Sequence, residues 1–231
     1  MTSALMRRLR RWRSEAVHAI VERVERWGIV GDEHSRAARF GYFGEGARIG
    51  FPMGTVYGER WMHIGAGTLF ADHVTLSAGM APDQEMVSNP VIRIGEKCLI
   101  GRYNAIVGHF SIDIGDEVFT GMNVYITDQN HAYEDLDVAI GRQWPVEDPV
   151  SIGDGSWIGS GAVILPGARI GRHVVVAANS VVRGVIPDHC VVAGVPARVV
   201  RRHDGRAWVR EGDRGHVVPT IGAVDTDPDV G

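Results

Sequence analysis

Residues 149–202 read PVSIGDGSWIGSGAVILPGARIGRHVVVAANSVVRGVIPDHCVVAGVPARVVRR. An aliphatic residue returns here at every sixth position, and a compact residue follows it four places later. The aliphatic positions are Ile152, Ile158, Ile164, Ile170, Val176 and Val182, and the compact ones are Ser156, Ala162, Ala168, Val174 and Ser180. A helix of 3.6 residues per turn would rotate these positions off any single face, and a plain strand alternates every two residues. The pattern therefore predicts short strands joined by corners, with three repeats closing one triangular coil around an aliphatic axis.

The same repeat extends towards the N-terminus with interruptions. It appears as Ile94, Ile100, Ile106 and Ile112, slips by two residues to Ile114, Thr120 and Ile126, and is weaker at Ile64, Phe70 and Leu76. The period fails at residues 79–90 and again from about 127 to 149. A solenoid extrudes loops without disturbing its stack, and such loops often carry function, so the second break is a candidate site.

The composition limits the class of protein. A chain of 231 residues with 45% hydrophobic content suits one buried domain with short appendages. A formal charge of −4 and a pI near 6.2 give no reason to expect a nucleic-acid partner. Cys98 and Cys190 lack disulfide-framework or zinc-ribbon spacing, and Cys98 falls at an inward repeat position. With no apolar stretch long enough to cross a bilayer, we expect a cytoplasmic protein.

The stretch from 149 to 202 closely resembles the C-terminal coils of hexapeptide-repeat O-acetyltransferases, which include the galactoside, maltose and capsule-type enzymes. The strings IGSGAVILPGARIG and VVAGVPARVV carry the resemblance, which covers residues 91–202 and weakens back to about 49. It implies an all-β, left-handed parallel β-helix over residues 31–202 and an acyl-CoA co-substrate, with no metal required. It also implies a homotrimer with a site between neighbouring prisms, which agrees with the need of a flat-sided prism for a second surface.

His131 is the candidate general base. It follows the string NVYITDQN, and in the acetyltransferases a histidine after an NVxIxTxxH-like string takes the proton of the acceptor hydroxyl as that oxygen attacks the thioester. Imidazole, with an ordinary pKa of about 6.5, is suited to that task. Asp128, Glu134 and Asp135 are the candidates for fixing its tautomer, and the sequence does not choose between them. A solvated loop histidine is the alternative interpretation.

Further site residues follow mainly from the resemblance. The family's coenzyme A contacts fall on Ser160, Ala178, Arg183, Arg198 and Arg201. Trp157 matches a tryptophan that lines the site in relatives, and Asn123 and Asp128 belong to the motif before His131, where Asp128 replaces the commoner threonine. Asn104, in the string GRYNAIVGHF, is a further candidate for orienting the substrate. Small residues would let pantetheine lie along the prism, and arginines would meet the phosphates. Each arginine alone is equally explained as a solvated surface residue. Trp157 is also explained by packing between subunits, and Asn123 by a coil corner.

The leading hypothesis is transfer of an acetyl or other short acyl group from acyl-CoA to a hydroxyl of a sugar or a related small acceptor. The nearest rival is an N-acyltransferase for a nucleotide-linked amino sugar, and a structural β-helix subunit is the non-enzymatic alternative. A γ-type carbonic anhydrase requires two histidines five residues apart, and no two of the ten histidines have that separation.

The two ends differ from the repeat region. Within residues 1–30, apolar residues recur at spacings of three and four, which predicts an amphipathic helix with a strongly basic start. Such a helix either covers an open end of the solenoid or a neighbouring subunit, which we favour, or contacts an anionic membrane surface. Residues 203–231 are predicted to be a mobile tail, although Trp208 could dock on the prism.

Overall fold

The computed structural model describes the backbone of residues 3–210 and the side chains of residues 6–210. Helix α1 (Ser3–Gly28) precedes a long series of very short strands. Three short 3-10 helices interrupt the series, at Ala37–Arg39, Glu59–Trp61 and Ile140–Arg142.

The strands are two to seven residues long. The first twelve are β1 (Val30–Gly31), β2 (Tyr42–Phe43), β3 (Arg48–Ile49), β4 (Val56–Tyr57), β5 (Met62–Ile64), β6 (Leu69–Phe70), β7 (Thr75–Ala78), β8 (Ile92–Ile94), β9 (Leu99–Ile100), β10 (Ala105–Gly108), β11 (Ile112–Ile114) and β12 (Phe119–Thr120). The others are β13 (Tyr125–Thr127), β14 (Gln129–Asn130), β15 (Val146–Glu147), β16 (Val150–Ile152), β17 (Trp157–Ile158), β18 (Val163–Ile164), β19 (Arg169–Ile170), β20 (Val175–Val176), β21 (Val181–Val182), β22 (Val185–Ile186), β23 (Cys190–Gly194), β24 (Ala197–His203) and β25 (Trp208–Arg210).

Most of these strands form three parallel sheets that are the sides of a triangular prism. Strands β14 and β15 form a separate antiparallel pair, and β1, β24 and β25 are antiparallel additions at the two ends of face I. Face I contains β3, β6, β9, β12, β17, β20 and β23; face II contains β4, β7, β10, β13, β18 and β21; face III contains β2, β5, β8, β11, β16, β19 and β22. The chain passes from face I to face II to face III and then begins the next coil, so each sheet pairs strands one coil apart. The architecture is the triangular coil of short strands that the repeat predicted, a parallel β-helix with the left hand that the resemblance implied.

The aliphatic repeat forms the core. Every predicted axial residue from Ile152 to Val182 is at most 3% exposed, and the compact residues from Ser156 to Ser180 are at most 1% exposed. Stacked coils place these side chains in one continuous apolar column, whose burial is the main source of stability in a solenoid.

Glycines and left-handed backbone make the coils compact. Gly155 and Gly161 have φ of 64° and 72°, in the left-handed region that glycine adopts without strain. Gly153 is required for a different reason, the close approach of two coils, because a Cβ at this position would lie 2.6 Å from the carbonyl carbon of Gly171 in the next coil. The small residues at the corners therefore serve both physical needs, tight packing and positive φ.

The ends of the chain depart in part from the expectation. Helix α1 lies within the predicted range, but it covers no open end of its own prism: its apolar side chains from Leu9 to Trp27, on residues 9, 12, 17, 20, 21, 24 and 27, are 39–74% exposed. Among the described residues, no helix is both long and apolar enough to span a lipid bilayer.

Residues 203–210, expected in the tail, instead continue β24 and form β25 as antiparallel additions to face I. Trp208 lies 6.5 Å from the ring of His173, and residues 211–231 are outside the described part.

Candidate functional site at one edge of the prism

The irregular segments of the repeat lie at a single edge, between faces II and III. The loop 79–90 joins β7 to β8, residues 109–111 join β10 to β11, and residues 128–149 join β13 to β16. These three connections belong to successive coils, because β7, β10 and β13 are neighbours in face II. The two predicted loops and the two-residue slip between them are thus one surface, which we call the loop edge.

The long loop is closed at its base by a two-residue antiparallel ladder. Gln129 pairs with Glu147 and Asn130 pairs with Val146, so His131 is the first residue beyond the ladder. The hydrogen bonds of residues 131–145 are internal to the loop, and the side chain of Gln143 makes three of them. The imidazole of His131 is exposed and within reach of solvent.

Asp128 holds the start of this loop against the preceding coil. Its carboxylate accepts backbone N–H bonds from His109, Phe110 and Ser111 at 2.6–2.8 Å, and the residue is fully buried. Burial raises the pKa of Asp128 above its ordinary value, against the opposing effect of the three N–H donors. Both carboxylate oxygens are occupied inside the coil, which differs from the direct substrate contact expected for Asp128.

None of the three candidate carboxylates is hydrogen-bonded to His131 within residues 3–210. Asp128 is occupied as described above, while Glu134 accepts a bond from the backbone N–H of Tyr133 and Asp135 accepts one from that of Asp137. The described residues therefore identify none of the three carboxylates as the group that orients the imidazole.

Asn104 also differs from its expected role. It is 1% exposed, its Nδ2 donates to Thr120 Oγ1, and its Oδ1 accepts the backbone N–H of Val124 at 2.7 Å. These bonds join neighbouring coils, which explains a buried amide without a ligand. Asn123 is exposed at a corner with φ of 57°, in agreement with the corner interpretation.

Two of the predicted cofactor residues lie at a different edge, between faces I and II. Ser160 follows β17 and Ala178 follows β20, so they occupy equivalent corners in consecutive coils, and both are exposed. The Ser160 hydroxyl accepts the backbone N–H of Met122 at 3.1 Å. Trp157 is on the outer side of face I and is 48% exposed.

The three arginines are spread over the C-terminal coils. Arg183 is exposed at the edge between faces II and III, whereas Arg198 and Arg201 are on β24 at the end of face I. Arg198 donates from Nη1 to the backbone carbonyl of Ala197 at 3.0 Å. Within the described part of one chain, the cofactor residues and His131 are therefore not gathered into a single pocket.

A further pair at the loop edge was not apparent from the sequence. His109 Nδ1 lies 2.6 Å from Glu147 Oε1, the His109 side chain is 2% exposed, and its ring centroid is 6.4 Å from that of Trp144. The position of His109 in the two-residue slip of the repeat was the available signal. Among the described residues, no cluster of three His, Cys, Asp or Glu side chains is arranged to hold a metal ion.

Known proteins share both the repeat and the fold. Residues 149–184 match the family described as bacterial transferase hexapeptide (six repeats), and residues 91–128 match the hexapeptide repeat of succinyl-transferase. A probable acetyltransferase of Mycobacterium tuberculosis is 37% identical over 62% of this chain and 42% of its own length. The putative lipopolysaccharide biosynthesis O-acetyl transferase WbbJ of Escherichia coli is 33% identical over 60% of this chain and 74% of its own length.

Two further matches bear on chain length and on the fold. The galactoside O-acetyltransferase of Escherichia coli is 36% identical over 50% of this chain, which spans 56% of that protein. An N-acyltransferase of Bacillus cereus, AntD, solved in complex with dTDP and 3-hydroxybutyryl-CoA, superposes with a TM-score of 0.63. It is 20% identical over 74% of this chain and 88% of its own, a likeness of fold alone. The chain belongs to the hexapeptide-repeat O-acetyltransferase family.

Proposed function

We propose that this protein is an acyl-CoA-dependent O-acyltransferase in which His131 is the general base. The observation that carries the proposal is the position of His131, an accessible imidazole at the first residue beyond a two-strand ladder, on the edge that also bears loop 79–90. The relatives at 33–37% identity are named acetyltransferases, which supports acyl transfer as the reaction class.

In the proposed reaction the acceptor oxygen attacks the thioester carbonyl directly. His131 takes the hydroxyl proton as the C–O bond forms; the C–S bond then breaks, and the imidazolium returns the proton to the departing thiolate. The products are the ester and the free thiol of coenzyme A. General-base assistance of this kind contributes roughly 100-fold to 10,000-fold to the rate.

Acyl-CoA is proposed to lie along the edge between faces I and II. The exposed corners at Ser160 and Ala178 leave room for an extended pantetheine arm. Arg198 and Arg201, at the end of face I, are proposed to meet the phosphates through charge-assisted hydrogen bonds. Arg183 lies at the edge between faces II and III, so its proposed phosphate contact is to a cofactor bound along a neighbouring chain. Asn104 and Asp128 are left out of the proposed substrate contacts, because both side chains are enclosed and internally bonded.

A homotrimer would bring the two edges together. We propose that each site joins the loop edge of one chain to the cofactor edge of its neighbour. Face I supports the assembly, because four outward apolar residues, in register over successive coils, are 41–48% exposed. They are Leu69, Leu99, Phe119 and Trp157. Burial of such a ladder by a second prism removes apolar surface from water.

The proposed acceptor is a hydroxyl of a sugar or a related polyol-like molecule, and the proposed acyl group is acetyl or another short chain. Amine acceptors are the second candidate, since the Bacillus cereus protein that shares this fold is an N-acyltransferase. Release of free thiol from acetyl-, succinyl- and longer acyl-CoA, measured with hydroxyl and amine sugars, tests the proposal. Turnover with amines alone would establish N-acylation, and no thiol release under any condition would favour a structural subunit.

The exposed apolar side chains of α1 are proposed to be covered either by a neighbouring subunit or by an anionic membrane surface, where a lipid-linked acceptor would be accessible. Five arginines fall within residues 7–13, and the apolar side chains of the helix are exposed. An interfacial helix needs this combination of an apolar stripe and positive charge.

A further inference from the structure

Both ends of the long loop are attached to the same three residues of the preceding coil. Asp128, immediately before β14, binds the backbone N–H groups of residues 109–111. Glu147, in β15, binds the side chain of His109 within those three residues. One attachment holds the start of β14 and the other holds β15, and these two strands are paired with each other. We call this paired and attached part of the loop its base.

The contact between His109 and Glu147 has a defined chemistry. A carboxylate only accepts hydrogen bonds, so Nδ1 of His109 carries the hydrogen that is donated to Glu147 Oε1 at 2.6 Å. The imidazole is almost fully enclosed and the Glu147 side chain is 26% exposed, so the pair is weakly screened by solvent. Among the described residues Nε2 of His109 has no partner, so the attachment depends on Nδ1 alone.

The position of His131 follows from this base. Residues 131–145 make their hydrogen bonds within the loop, so the polar contacts that orient the loop against the prism lie at its base. Trp144, beside the His109 ring, adds an aromatic contact at the same place. We propose that His109 and Glu147 are positioning residues, whose hydrogen bond fixes the base of the loop and thereby the location of His131. This inference rests on the proposed function for its kinetic consequence, but its structural consequence is independent of it.

Substitution of His109 by asparagine or by glutamine distinguishes the roles of its two ring nitrogens. The side-chain NH₂ of asparagine reproduces the donor at Nδ1, whereas that of glutamine reproduces the location of Nε2. His109→Asn should therefore retain the attachment, and His109→Gln and His109→Leu should lose it. Because a displacement of about 1 Å of a catalytic group can cost on the order of 100-fold, kcat should fall by up to about 100-fold in the latter two variants. The KM for acyl-CoA should stay near that of the wild type.

Loosening of the loop is measurable without the reaction. Arg142 is an exposed trypsin site within the loop, so the rate of cleavage after Arg142 reports how firmly the base is held. We expect faster cleavage in His109→Leu and Glu147→Leu, and equal cleavage in their double variant, because the two changes break one interaction. The control is Arg93→Gln, which removes the exposed ion pair with Asp113 on face III and should change neither cleavage nor kcat.

The outcomes separate the hypotheses. If His109→Leu has the cleavage rate and the kcat of the wild type, the inference is wrong. It is also wrong if His109→Asn loses the attachment of the loop while His109→Gln retains it, because that result would assign the role to Nε2. Additive effects of the two leucine variants would also overturn it. Equal turnover by wild type and His131→Ala would refute the proposed base instead, and the proteolysis result would stand separately. Melting temperature and native mass identify any variant that fails to fold.

Discussion

Phe119 lies directly beside Trp157 on face I, paired in register across successive coils, and each side chain is 48% exposed. Two large aromatic side chains, half in water on a flat sheet, are typical of a surface that another chain covers.

Phe119→Asp is therefore expected to dissociate the proposed trimer, because a carboxylate would be buried without a partner at the centre of the interface. Native mass measured by light scattering should fall to that of one chain. Val185→Asp, on face III at a residue 72% exposed, is the matched control and should leave the mass unchanged. An unchanged mass for Phe119→Asp would place the interface elsewhere.

Replacement of the proposed base should remove most of the activity. We expect His131→Ala to lower kcat by roughly 100-fold to 10,000-fold, the usual contribution of a general base. Thiol release from acetyl-CoA is the measurement, and His18→Ala, on exposed α1, is the control.

The proposed phosphate contacts should affect cofactor binding and leave chemistry intact. Arg198→Ala and Arg201→Ala are each expected to raise the KM for acyl-CoA about tenfold or more with little change in kcat, as loss of a hydrogen bond to a charged group would do. Arg172→Ala, which removes an exposed pair with Asp188 at another edge, should leave the KM unchanged. A lower kcat at constant KM would argue against these roles.

Membrane contact by α1 is testable with vesicles. Changing Arg7, Arg10 and Arg13 to glutamine should weaken co-sedimentation with phosphatidylserine vesicles on the order of 100-fold, from about 1 kcal/mol per arginine. Ile20→Asp should also weaken binding to the vesicles, because it interrupts the apolar stripe of the helix. Glu22→Gln, which removes a negative charge, is the control and should not weaken binding. Equal binding to neutral phosphatidylcholine vesicles, or no binding by the wild type, would contradict a role for anionic lipid.

The titration of Asp128 should be visible in stability. Burial raises the pKa of Asp128 above its ordinary value of 3.8, so the folded state binds the proton of this carboxyl more tightly than the unfolded state does. The stability that this proton contributes is therefore complete below pH 3.8 and declines as the pH rises through the folded-state pKa of Asp128. The free energy of unfolding of the wild type minus that of Asp128→Asn should fall over this window and then level off. Urea unfolding at one protein concentration measures it; a difference that rises with pH would mean that the N–H donors outweigh burial.

The repeat made the prism predictable, because each axial residue follows from a local six-residue rule. His131 could be selected as the candidate base because the string NVYITDQN precedes it directly in the chain, and its role stays a prediction. The pair formed by His109 and Glu147 could not be predicted from the sequence, because its members are 38 positions apart and only the stacking of the coils brings them together. Likewise, the enclosure of Asn104 became apparent only from its bonds to neighbouring strands.

The loop edge has a consequence for how such a protein can change. Its insertions leave the coil at one line and return to it, so their length and composition can vary while every inward side chain stays the same. A foreign segment grafted between Asn130 and Val146 would inherit the spacing of the ladder beneath it. The proposed acceptor preference, set by the loops, and the thermal stability, set by the core of the prism, would then be separable properties that can be engineered independently on one scaffold.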